Sequence, residues 1–199
     1  NNYAFSNAYI DAITAPFVMS GFDYMAVGGD FNKIKGSSAA LSNRILAKCG
    51  YSGTSANLTC NAYIGSGNST NKFADKAISA LDTLGSASSA PLVNAGGLFT
   101  KIAGYPTSSV PSGSSGTTFA RCTSGINGIC SEGMGSDNPN NSILGMTDDG
   151  TNLYLGGTFT QAGGYGAETD GGYPLLRCTP SSTTTCVNAL AGSNDANGY

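Results

Sequence analysis

Six cysteines in three close couples carry the most defined chemistry of this sequence: Cys49 and Cys60, Cys122 and Cys130, Cys178 and Cys186. An even count at repeated spacing points to disulfides, and so to an oxidising compartment. Only this pairing gives every couple the same place in a repeated unit. Metal binding is the rival use of thiols, and the sequence offers it no His and no C-x-x-C. The lack of His also removes Ser-His-Asp and Cys-His catalysis. Paired carboxylates could hydrolyse glycosides, but Asp23, Asp30, Asp137, Asp148, Asp149, Glu168 and Asp170 are scattered over turn-like sequence. Asp148-Asp149-Gly150 reads as a tight turn, because the spacing of a complete calcium loop is missing. The expectation is a protein that is not an enzyme and carries no cofactor.

Binding chemistry is equally sparse. Lys48, Arg121 and Arg177 each directly precede the first Cys of a couple. On a strand they point away from that Cys. Together they could bind an anion or a sugar acid; a solvated edge that discourages strand pairing is the preferred expectation. Asn57, Asn68 and Asn140 each begin a glycosylation sequon, which matters in a host that glycosylates proteins. Ten Tyr could stack on sugars, although Tyr9, Tyr63 and Tyr154 read more simply as strand residues. A net charge of −3 leaves no basic stripe for nucleic acid. No apolar run approaches the roughly 18 residues of a membrane span. The start at Asn1 rather than Met is expected of a processed N-terminus or of a fragment.

The elements that must position these residues are legible as a repeat. Residues 24–36 (YMAVGGDFNKIKG), 92–104 (LVNAGGLFTKIAG) and 152–164 (NLYLGGTFTQAGG) share an apolar run, a Gly-Gly pair, one residue and a Phe. Upstream, residues 10–14, 78–82 and 143–147 match one another; downstream comes the basic residue with its Cys couple. Four short apolar segments per unit predict a four-stranded antiparallel meander, A-B-C-D. The strands fall near 9–15, 24–31, 44–49 and 58–64 in the first unit. They fall near 77–82, 92–99, 118–122 and 129–134 in the second, and near 143–147, 153–159, 175–178 and 185–190 in the third. With 29 Gly and only 11% charged residues, the composition suits short strands and turns, not amphipathic helices. Residues 71–85 also have a helical period, with Phe73, Ala77, Leu81 and Leu84 on one face. The match to the other units favours a strand in their second half. Strand B places Met25 and Val27, Val93 and Ala95, and Leu153 and Leu155 on one face. Phe31, Phe99 and Phe159 are expected to plug the gap between adjacent sheets.

The unit resembles the kelch-like β-propeller repeats of bacterial secreted and surface proteins. Residues 153–164 match their L-Y-V-G-G-x-F-T-x-A-G-G motif almost throughout; Ala47-Lys48 and Ala120-Arg121 match the later A-[KR]-W, with Cys in place of Trp. The resemblance implies an all-β chain of three four-stranded propeller-like blades, about 1–70, 71–137 and 138–199, in a single repeat domain. Propellers close with about four to eight blades, so three leave two side faces; the expectation is that the chain belongs to a longer one, that copies complete one another, or that the blades stack as an open array. Phe5, Tyr9, Ile10, Val187 and Leu190 are the side chains expected to lack cover. The functional expectation is a secreted or cell-surface structural protein that self-assembles through its ends into a homo-oligomer or filament. The alternative is an adhesin or other propeller module with a glycan or protein ligand.

Overall fold

The computed structural model of the 199-residue chain describes residues 5–6, 9–19, 21–31, 33–34, 46–51, 58–63, 74–84, 92–102, 118–123, 130–131, 134, 138–165, 175–179 and 185–189. These residues are all-β, with no helix among them. The strands are β1 (Phe5–Ser6), β2 (Ile10–Ile13), β3 (Phe17–Met19), β4 (Phe22–Gly29), β5 (Lys33–Ile34), β6 (Ala47–Tyr51) and β7 (Leu58–Tyr63). They continue with β8 (Ile78–Leu84), β9 (Leu92–Gly97), β10 (Phe119–Thr123), β11 (Cys130–Ser131), β12 (Ile143–Asp148), β13 (Leu153–Gly157), β14 (Leu175–Thr179) and β15 (Thr185–Asn188).

Three antiparallel meanders follow one another along the chain. The first sheet runs β2-β4-β6-β7, the second β8-β9-β10-β11, the third β12-β13-β14-β15. The register of the first two strands is the same in all three. Ile10 faces Gly29, Ile78 faces Gly97 and Ile143 faces Gly157, each followed by a bulge. Two pieces lie outside the predicted pattern. Strand β3 folds back on the start of β4, with Gly21 at φ 78° in the turn, and β1 pairs with β5.

Residues 78–84 form strand β8, not a helix. Six residue pairs with β9, from Ile78↔Gly97 to Leu84↔Leu92, supply backbone partners. Pairing and burial outweigh local helical periodicity here.

The core lies between the sheets. One cluster joins Phe17, Ala26 and Leu46 of the first sheet to Ile78, Leu81, Val93, Ala95 and Ala120 of the second. A second joins Ala80 and Phe119 of the second sheet to Ile143, Leu153, Leu155 and Leu176 of the third. A third, Val27, Phe31, Ala47, Cys49 and Cys60, is built from the first sheet alone. Phe31, Phe99 and Phe159 are fully buried, one per sheet. The disulfides Cys49–Cys60, Cys122–Cys130 and Cys178–Cys186 each link the last two strands of one sheet. Such bonds fit an oxidising compartment.

Candidate functional site

The two glycines of each pair have different tasks. The second sits against the first strand of its own sheet. A Cβ on Gly29 would strike the backbone of Tyr9, on Gly97 that of Ala77, on Gly157 that of Ser142. This requirement is met inside every sheet. The first glycine instead receives the next sheet. A Cβ on Gly28 would lie 2.7 Å from Cγ2 of Ile78 and 3.1 Å from Cδ1 of Leu81. One on Gly96 would lie 2.9 Å from Cβ of Ile143 and from Cε of Met146. The equivalent in the third sheet, Gly156, has nothing among the described residues within 4 Å of that position.

The same face carries the recurring cation. Lys48 pairs with Ala26, Arg121 with Asn94 and Arg177 with Tyr154 across the sheet. Lys48 is buried, its Nζ 4.6 Å from the centroid of the Tyr24 ring, and burial lowers its pKa. Arg121 is half-buried and donates through Nε to Oδ1 of Asn94 at 3.1 Å. Only Arg177 is exposed. The solvated-edge expectation is therefore corrected. β6, β10 and β14 each have a hydrogen-bonded strand on both sides, and on β6 and β10 the cation is buried or half-buried.

A carboxylate pair links the second and third sheets, and the sequence reading did not find it. Asp82 of β8, paired with Asn94, lies near Asp148 of β12. Burial, followed by the charge and hydrogen bonding of Asp148, pushes the Asp82 carboxyl up to about 6. Oδ2 of Asp82, Nδ2 of Asn94 and Nη2 of Arg121 are buried with no hydrogen-bond partner among the described residues. A carboxylic acid near pH 6 can donate a proton, but burial beside a like charge also arises in plain structural pairs. The one available signal was that Asp82 and Asp148 occupy nearly the same place on successive first strands.

Other candidates are structural. Asp149 accepts from the backbone N–H of Thr151 at 2.9 Å and of Asn152 at 2.7 Å, and from the Tyr154 hydroxyl at 2.9 Å. These bonds hold its carboxyl well below the ordinary range, and Gly150 completes the turn at φ 85°. Among the described residues no group of three His, Cys, Asp or Glu could hold a metal ion. Asn140 clamps the turn after Phe159: its Oδ1 accepts from Thr160 N at 2.8 Å and Gln161 N at 3.2 Å, and its Nδ2 donates to Thr160 Oγ1 at 2.9 Å. A glycan on this amide would disturb the clamp. Asp75 does the same for Thr100 and Lys101. Burial opposes its ionisation, yet these hydrogen bonds outweigh it and lower its pKa. Sequence reasoning missed this clamp, although both residues stand three places before an Ile that opens a first strand. The sequons at Asn57 and Asn68 lie outside the described residues, as do Leu190 and the side chain of Phe5.

No helix of the described residues is long and apolar enough to cross a membrane. No protein-family model, curated protein or solved structure matches the chain.

Proposed function

We propose that this chain is a secreted, non-enzymatic structural protein whose three sheets are successive propeller-like blades, and that it assembles with copies of itself through its two end faces into a fibre or surface layer. The observation that carries the reading is a contrast between equivalent positions. Ile78 and Leu81 are 0% and 6% exposed, whereas Ile10 and Ile13 of the first sheet are 43% and 54% exposed. At the other end Leu175 is 38% exposed, whereas Leu46 and Phe119, at the same register position, are buried. Tyr9 and Val187 are exposed as well.

Repeat units bury such faces only against neighbours. Each half-exposed Ile or Leu forgoes about 1 kcal/mol of burial, which favours a further contact. A net charge of −3 on 199 residues opposes association weakly. The test is sedimentation velocity of the purified chain over a wide concentration range. The expected result is a mean mass that rises with concentration. A strict monomer throughout would sink the reading.

A further inference from the structure

We propose that the uncovered face of the third sheet receives strand β2 of a second copy of this chain, with that copy's Ile10 and Ile13 seated over Gly156. The proposal rests on the self-assembly reading and specifies its contact.

The repeat itself supplies the geometry. β2, β8 and β12 have the same register with their neighbours and the same bulge. They present equivalent side chains: Ile10 and Ile13, Ile78 and Leu81, Ile143 and Met146. The second pair fills the space above Gly28, and the third fills the space above Gly96. One pair and one receiving glycine then remain, at opposite ends of the chain. Ile10 and Ile13 are exposed, and among the described residues nothing fills the space above Gly156. Leu175, which pairs with Gly156, is exposed beside that space, and Arg177 is exposed further along the same face.

The core of the first sheet carries the same message from the other side. The clusters around the second and third sheets each include residues of the preceding sheet. Among the described residues, the cluster of Val27, Phe31, Ala47, Cys49 and Cys60 includes none. Its members are themselves buried, so the third sheet of another copy would cover the edge strand β2, where Ile10 and Ile13 are exposed. A contact of this kind joins two different surfaces, so it continues into a ring or a filament.

The test uses two one-sided variants of the full chain. Gly156→Val fills the receiving position, and the double variant Ile10→Asp, Ile13→Asp removes the inserting side chains. All three positions are open or exposed, so thermal melts should match the unsubstituted protein. Each variant alone is expected to stay monomeric, and an equimolar mixture to stop at a heterodimer, because one competent pair of surfaces survives in it. If either variant alone assembles like the unsubstituted chain, this contact is wrong while self-assembly stands. A mixture that stays monomeric overturns the head-to-tail arrangement. An unsubstituted chain that is monomeric up to about 1 mM, the weakest affinity of interest, overturns the contact and the self-assembly reading together.

Discussion

Replacing Asp82 by Asn should stabilise the protein, and only above mildly acidic pH. Asp82 is pushed from 3.8 to about 6 by burial between the second and third sheets and by Asp148 opposite. Between those values the folded state holds a proton that the unfolded state has lost. Stability from this group therefore falls as pH rises from about 4 to 6, and stays lowered above that. The full displacement corresponds to about 3 kcal/mol, and solvent at a partly exposed carboxyl reduces it to about 1–2 kcal/mol. Asn is neutral at every pH and, like the protonated acid, carries a hydrogen that it can donate. Asp75 and Asp149, both held below their ordinary values, act the other way. They add stability that is lost as pH falls below about 4, and they do so equally in both proteins. Urea denaturation at pH 4, 5, 6 and 7, with disulfides intact and at low protein concentration, isolates the difference. The two proteins should nearly coincide at pH 4 and diverge to about 1–2 kcal/mol at pH 7. A gap that does not change with pH, or an Asp82→Asn variant that is the weaker of the two at pH 7, would refute the reasoning.

Three further outcomes follow from the packing. Phe99→Ala removes a fully buried ring from the core between the first and second sheets; it should cost about 3–5 kcal/mol in the urea midpoint analysis. Gly96→Val drives a side chain into Ile143 and Met146 and should cost about 1–3 kcal/mol, whereas Gly156→Val should leave monomer stability unchanged within about 0.5 kcal/mol. Loss of the Cys178–Cys186 bond by double Ala substitution should cost about 2–3 kcal/mol in the loop-closure account, read as a lower midpoint with the other two bonds intact.

The meander was legible because it is written locally. Alternation in strand B, the Gly-Gly-x-Phe run and the Cys couples each sit within a few residues. The second half of residues 71–85 shows where locality misleads. Its period suits a helix, and only its register with β9 fixes β8. The Gly-Gly pair was readable as a close approach, but not as two approaches. Which strand meets Gly28 or Gly96 depends on a residue about fifty positions further along. Lys48 and Arg121 were assigned to the correct face, opposite Cys49 and Cys122. Their burial was missed, since what covers a strand is absent from its own pattern. The same holds for Asp82, which meets Asp148 only after two sheets pack. Among the described residues, the β3 hairpin and the β1–β5 pair occur in the first unit alone, so a repeat alignment had no template for them.

The central claim is that sheets of this chain dock first strand onto receiving glycine, both within a copy and between copies. An electron cryomicroscopy map of the assembled particle at side-chain resolution tests it most directly. The account predicts a continuous succession of sheets across the junction, with Ile10 and Ile13 of one copy over Gly156 of the next, spaced as Ile78 and Leu81 are over Gly28. Like ends paired with like, a junction elsewhere on the surface, or a specimen of separate monomers would contradict it.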